Sequence, residues 1–415
     1  MTSLPNEPGG PPSESDAARG VVEKKSVMGG AIGPLVALQH AAAPAWSPRS
    51  YAAFAREGVM QNAVVHRSVR MICEAVASVG LVVRDGDAES DAHPLLTLLR
   101  QPNQLQCRAT FLEALVGYLL VSGNAFVEAV RAGDDVRELY LLRPDRVRVV
   151  TGTDGWVTAY DHTVDGRTVR RIAEDLDGFR AVHHVRFFHP LDEHYGLSPI
   201  EAAAMAVDIH NKASAWNKAL LDNAARPSGA LVYAANDGNM TADQYERLRD
   251  QLEASFQGAR NAGRPLLLEG GLDWKAMGFS PKDMDFIEAK NVAAREIALA
   301  LGVPPMLLGI PGDNTYANFQ EANRTFWRQT VVPLAERIAK GLGGWLAPMF
   351  ANGSADMTLK VDLAGLTALA SEREALWSRI GAADFLSLNE KRGAAGFPPV
   401  PGGDDIPGAY ADAAR

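Results

Sequence analysis

Residues 285–349 read DFIEAKNVAAREIALALGVPPMLLGIPGDNTYANFQEANRTFWRQTVVPLAERIAKGLGGWLAPM, a helix, a hard stop and a much longer helix. Ser280-Pro281-Lys282-Asp283 announces the first helix with a hydroxyl cap, a proline at the first helical position and an acid in the first turn. Its apolar face runs through Ile287, Ala294, Ile297 and Leu301. Gly302-Val303-Pro304-Pro305 ends it, because neither proline can donate a helix hydrogen bond. A loop rich in Gly, Pro, Asp and Asn then covers Gly309 to Asn314. Beyond it Tyr316, Phe319, Asn323, Phe326, Thr330, Leu334, Ile338, Leu342 and Trp345 hold one helical face for about thirty residues, roughly 45 Å of helix. Such a helix is a strut. Pro333 inside it predicts a kink, through a clash with the carbonyl of Gln329. No reactive group is placed anywhere along the stretch.

Composition sets the limits. The chain has 415 residues, enough for two or three domains. Apolar residues make up 47% and charged ones 22%, the balance of a globular, soluble protein. No apolar run reaches the ~18 residues of a membrane span, and the N-terminus lacks the charged-then-apolar order of a signal peptide. Cys73 and Cys107 are the only cysteines, too few for a disulfide framework and without metal-ligand spacing, so a reducing cytoplasm is the natural setting. The net charge of −9 argues against a protein that grips nucleic acid over a broad surface.

Outward from the central stretch, residues 1–45 read as a disordered arm, with the mildly apolar 28–43 a flexible tail rather than a docking segment. Order is expected from about Val59. Val64, Val65, Val69, Ile72, Val76 and Val79 repeat at helical spacing, and Gly80 closes that helix before a strand, Leu81-Val82-Val83. A second helix covers His93 to Leu99, and Thr110 caps a third that buries Phe111, Leu115, Tyr118 and Leu119. The period then changes. Residues 125–130, 147–150 and 185–188 read as strands, separated by turns at Arg131-Ala132-Gly133-Asp134, Thr153-Asp154-Gly155 and Asp165-Gly166. Ser198, with Pro199 next and Glu201 three residues on, is a capping box that starts a helix running to about Asn223.

A small α/β unit follows. It has a strand at 230–234, a helix capped by Thr241 through Tyr245, Leu248, Leu252 and Phe256, and a strand pair around Leu266-Leu267-Leu268 and Trp274. The unit is therefore inserted between two long helices. After the strut come a strand at 357–361 and a helix from Leu366 to Ile380, and the remainder is expected to be ordered in part at best. The fold class is α+β.

Enzyme chemistry is thin. There is no G-x-x-x-x-G-K-[ST] loop, no G-x-G-x-x-G after a strand and no G-x-S-x-G elbow. His183, His184, His189 and His194 cluster, but their spacing is not a recurrent ligand pattern and no carboxylate or cysteine completes it. They read as strand and turn histidines. Between Arg131 and Pro190 ten Arg face ten Asp and Glu, a mixed solvated surface and not a phosphate-binding one. No catalytic, cofactor or metal site is expected.

Several strings, in order along about 60–405, resemble those of phage portal proteins of the HK97-like family. They are Ser122-Gly123-Asn124-Ala125-Phe126, the Leu-x-Pro-x-x-Val pattern of Leu142, Pro144 and Val147, and Gly196-Leu197-Ser198-Pro199. Then come Gly302-Val303-Pro304-Pro305-Met306-Leu307-Leu308-Gly309, and Asn389-Glu390-x-Arg392 followed by Pro398, Pro399 and Gly402-Gly403. The Ala, Arg and Gly bias and short length are also similar to portals of bacterial gene transfer agents. The resemblance implies a dodecameric ring at one vertex of a phage-like capsid, assembled in the bacterial cytoplasm, through which double-stranded DNA is packaged and ejected. It implies terminase large subunit, major capsid protein and head–tail adaptor as partners, and no membrane.

By position it implies a wing at 46–197, stem helices at 198–226 and 281–302, and a clip at 227–280. A channel loop at 303–318 precedes a long helix and return strand at 316–365, and a crown and tail at 366–415. The implied channel loop holds Gly309, Gly312, Asp313, Asn314, Thr315 and Asn318; the implied motor-docking face of the clip holds Arg247 and Arg249. Asp313 is the only charge from Gly309 to Gln320, as suits a surface sliding past a polyanion, where each ion pair would add friction. Two rivals stand beside this reading. Another ring-forming connector or tail protein would lack the inserted clip, and a hydrolase would need convergent titratable groups.

Overall fold

The computed structural model describes residues 48–86, 88–133, 135–175, 177–222, 229–233, 243, 246–247, 272–276, 286–311, 316–350 and 356–405. The expected arm lies outside them. Order starts earlier than the apolar pattern suggests. Ser50 caps a helical turn, Tyr51–Ala53, that widens into a π-helical segment, Phe54–Met60. Asn62 then caps α1, Ala63–Ser78, accepting from the N–H groups of Val64 and Val65. Val65, Val69, Ile72 and Val76 are buried as the periodicity requires. Gly80 is not a helix cap. It is the first residue of β1, Gly80–Asp85, and faces Asp362 of β11, Thr358–Asp362, whose Cβ would stand 3.0 Å from any Cβ placed there. β2, Ala88–Ser90, completes the three-stranded sheet β11-β1-β2.

α2, Pro94–Arg100, follows, with His93 as its cap. α3, Arg108–Ser122, starts two residues before the Thr110 expected as its cap. Cys107 holds the cap position, and the Thr110 hydroxyl donates back to its carbonyl. Two antiparallel three-stranded sheets come next, β4-β3-β8 and β5-β6-β7. They are built from β3 Asn124–Ala132, β4 Asp135–Leu142, β5 Val147–Thr151, β6 Val157–Val164, β7 Arg167–Ile172 and β8 Val182–Arg186. The last of these lies three residues N-terminal to the expected 185–188, and Phe188 is 80% exposed. His183 and His184 supply the bulk expected of Phe187 and Phe188. One ring stacks on Trp345 at 5.2 Å and the other on Phe126 at 4.1 Å.

A short turn, Pro199–Ala202, leads into α4, Ala204–Asp222, which packs against α5, Phe286–Ala300. Between them β9, Gly229–Tyr233, pairs with β10, Leu272–Ala276, and Trp274 lies opposite Leu231. Leu266-Leu267-Leu268 and most of the Thr241 helix fall outside the described residues. Of α5's expected apolar face, Ala294, Ile297 and Leu301 are buried, whereas Ile287 is 74% exposed.

The strut α6 runs as α-helix through Tyr316–Phe326 and Val332–Phe350, joined by π-helical Trp327–Val331. Its kink-former is handled by that wide turn. Val332 N–H bonds to the Trp327 carbonyl, five residues back, so Pro333 follows a turn already opened and its ring avoids the Gln329 carbonyl. Leu334, Ile338, Leu342 and Trp345 are buried, in one core shared with α1, α2, α3, β3 and α5. Gly343 permits the crossing of β11, since a Cβ there would meet Leu359 at 2.9 Å. The described C-terminal residues form α7, Ala370–Gly381, and α8, Leu388–Ala394. Among the described residues no helix is long and apolar enough to cross a membrane.

Candidate functional site

The end of α5 is built by Gly302 rather than by the prolines after it. Gly302 adopts φ +67°, its N–H reaches the Leu299 carbonyl at 3.0 Å, and Val303 N–H reaches the Ala298 carbonyl at 2.9 Å. These paired bonds satisfy carbonyls the helix end would otherwise leave open, and only glycine takes the left-handed position without strain. The Thr330 hydroxyl, from the π turn of α6, donates to the Gly302 carbonyl at 2.6 Å. The elbow is thus pinned to the strut, a contact invisible in sequence, where Thr330 was one more member of a buried face.

Pro305–Leu308 then forms a 3-10 turn that ends at Gly309, with φ +72° and an exposed backbone. Ile310 is buried against Ala294 and Ala298 of α5, and Arg295 donates to the Pro311 carbonyl. The first part of the expected channel loop is therefore docked on α5. Gly312, Asp313, Asn314 and Thr315 lie outside the described residues. Asn318 is exposed on the first turn of α6. Of the clip pair, Arg247 is helical and exposed, and Arg249 lies outside the described residues.

Two further strings meet in one place. Gly123 has φ +76°, and a Cβ on it would stand 2.3 Å from the Gly196 carbonyl oxygen; a Cβ on Gly196 would stand 2.1 Å from that of Gly123. Two backbones cross here at a separation no other residue allows. Asn124 locks the crossing. Its Oδ1 accepts Gly196 N–H at 2.7 Å and its Nδ2 donates to the carbonyls of Ser122 and Gly196. Because that oxygen can only accept, His184 Nε2, 2.9 Å away, is the nitrogen carrying the proton. Ser198 accepts from Ile200 N–H, but its hydroxyl donates to Leu120 of α3 at 2.8 Å, so the expected reciprocal box with Glu201 gives way to a tie between α3 and the α4 entrance.

The remaining strings have the same character. Leu142 and Val147 are buried on either side of the Pro144–Arg146 turn, which carries the chain from one sheet to the next. Asn389 donates to the Val400 carbonyl and Asp404, accepts from Val400 N–H, and lies where a Cβ on Gly403 would meet its Oδ1 at 2.4 Å. Arg392 donates to the Pro398 carbonyl at 2.8 Å. Ser387 and Glu390 form a complete capping box, signalled by their spacing but unread in sequence. Each string fixes a backbone crossing or cap, and none presents a nucleophile, an acid–base pair or a ligand set.

The histidines diverge. His183 and His184 point to opposite faces of β8, while His189 accepts from Leu191 N–H and His194 N–H bonds to Asp192. Burial lowers the pKa of His183 to about 4 and of His184 to about 3, and nearby arginines add to both shifts. Among the described residues no three His, Cys, Asp or Glu side chains converge on a common point. Several of the arginines are paired with carboxylates, among them Arg131–Asp175 at 2.7 Å, Arg170–Asp161 at 2.7 Å and Arg171–Glu128 at 2.5 Å.

The sequence profile of the phage portal protein family matches residues 63–396. The fold superimposes on a chain from the neck of an empty gene transfer agent particle with C6 symmetry, with a TM-score of 0.68 and 54% identity over 86% of this chain and 96% of the other. On a chain from the neck of the native particle with C12 symmetry the TM-score is 0.65 and the identity 53%, with the same coverage. The portal protein of Enterobacteria phage HK97 is 27% identical over 372 residues, 84% of this chain and 81% of that protein. With its ordered motifs acting as structural joints and the family profile matching residues 63–396, the chain belongs to the phage portal protein family.

Proposed function

We propose that this chain is one wedge of a dodecameric ring at a single vertex of a phage-like particle of the gene transfer agent type, and that double-stranded DNA passes through the ring in packaging and ejection. One observation supports this above the rest: two helices, α4 and α5, pack together with the β9–β10 pair between them in the chain, within a chain more than half identical to one in a particle neck. In this reading α4 and α5 are the stem, 227–280 is the clip that meets the terminase large subunit, and 46–197 is the wing facing the major capsid protein. The chain segment 303–318 faces the DNA, and a head–tail adaptor takes the motor's place after packaging. The protein assembles in the bacterial cytoplasm before it joins the particle. Its role is structural, and no chemical step is assigned to it.

DNA must slide, and the formal charge of −9 suits that, because cationic contacts in number would hold the duplex in a salt-dependent grip. Negative-stain microscopy of the purified full chain tests the reading. Rings with a central hole are expected. A protein that stays monomeric across the micromolar range overturns it.

A further inference from the structure

The segment 370–405 combines a set of internal polar bonds with open apolar surface. Its polar groups are matched internally by the Ser387–Glu390 box, the Asn389 bonds and the Arg392–Pro398 bond. It is tied to the body by polar contacts, with Arg373 donating to the Leu363 and Ala364 carbonyls and Arg324 to Ser371. Yet neither α7 nor α8 contains a buried residue. Leu376, Trp377, Phe385, Leu388 and Phe397 are between 39% and 75% exposed, and the rings of Trp377 and Phe397 lie 6.3 Å apart. Taking about 200 Å² for each large side chain, they leave roughly 500 Å² of apolar area in sum, in the range of the largest apolar patch of a free monomer, which is commonly a binding surface.

We infer that this apolar surface of the C-terminal segment is a contact between neighbouring copies of this chain in the ring. The inference rests on the ring reading above and adds to it the surface that closes the ring. The rotational symmetry of the necks containing its half-identical relatives requires every copy to present a surface to a rotated neighbour. DNA is a poor occupant: residues 370–405 hold four Lys and Arg against six Asp and Glu, and two of those cations, Arg373 and Arg392, lie over the rings of Trp377 and Phe397. Phe385 and Leu388 carry no such cation over them, and they are the side chains a second copy would cover first.

The test compares the wild-type full chain with Trp377→Ala, Phe385→Ala and the double variant, using mass photometry for ring fraction and far-ultraviolet melting for the fold. Because no residue of α7 is buried, melting of the unassembled chain should move little. The ring fraction of the double variant should fall at least tenfold at a concentration where wild type is fully assembled, with the single variants between. Rings of unchanged yield from the double variant overturn the inference and leave the ring reading intact. So do normal rings that then fail to enter particles, since the patch would then belong to a capsid partner. If wild type forms no rings, it is the ring reading that fails.

Discussion

Lowering the pH from 8 to 5 should weaken this fold through two histidines that read as strand residues in the sequence and stack on aromatic rings in the structure. His183 stacks on Trp345 and His184 on Phe126, and burial holds their pKa values at about 4 and about 3. In the unfolded chain each returns to roughly 6.5. The folded protein therefore keeps both neutral while the unfolded chain takes up protons. Stability is full above about pH 7.5, declines as the pH drops through 6.5, and levels off only below the folded pKa values. By pH 5 the loss is roughly 2 kcal/mol for each ring, about 4 kcal/mol together, a large part of a typical folding free energy.

His162 and His210, also lowered by burial, add with the same sign. Asp161, held low by the Arg170 hydrogen bond, and Asp192, held low by the Tyr195 N–H, lose stability only below about pH 4, outside the window. The assay is urea unfolding of the unassembled chain at both pH values, for wild type and His183→Asn. The packing lost with the imidazole is common to both conditions, so the difference between them isolates titration. That difference should shrink by about 2 kcal/mol in the variant. Equal pH differences in the two proteins would refute the reasoning, and so would one zinc per chain in the purified protein, because a metal would hold the rings together for a different reason.

Three further outcomes are expected. Gly302→Ala should lower stability by about 1–2 kcal/mol, because the residue sits at φ +67° and its Cβ would stand 2.8 Å from Thr330 Oγ1; a melting curve unchanged from wild type would argue against the elbow as drawn. Arg247→Glu with Arg249→Glu should leave rings intact and reduce capture of terminase large subunit in a pull-down. Removal of residues 312–315, beginning beyond the docked Ile310, should permit rings but lower the DNA retained in filled particles, and normal retention would make the segment a plain connector.

Periodicity made the helical half of this molecule legible. The faces of α1 and α3 follow their apolar spacing, as does that of α6 from Phe326 on, though Phe319 ahead of it is exposed, and Gly133, Gly155 and Asp165-Gly166 turn the chain with positive φ where turn chemistry placed them. The strands β4, β6 and β7 escaped for a physical reason. β7 exposes all but one of its six residues, so it has no buried face to impose a period of two. β8 was misplaced because its bulk comes from imidazoles, which a hydropathy reading counts as polar. The long-range ties were beyond reach altogether. Nothing in Ser122-Gly123-Asn124 says that its partner is Gly196, and Thr330 gives no sign that its hydroxyl will hold Gly302.

Those ties explain why a portal protein should be recognisable by glycines, prolines and asparagines at its bends. Twelvefold symmetry, as in the native neck that holds a half-identical relative, fixes a rotation of 30° from one copy to the next. A head-to-tail contact closes a ring only if that rotation is held; otherwise the copies wind into an open helix. An error of about 3° per joint, repeated around such a ring, exceeds the angle of a whole wedge. The angle a wedge presents depends on how its elements are joined, and the joints lie where the motif residues are. The Gly123–Gly196 crossing sets α4 against α3, the Gly302–Thr330 pin sets α5 against α6, and the Asn389–Gly403 contact sets α8 against the chain that follows it. At the Gly123–Gly196 crossing the contact is backbone on backbone, the stiffest way to fix such an angle, because no side-chain rotamer stands between the two elements. In the ring reading a portal protein has to close, and in this chain the motifs fall on the joints that closure would constrain.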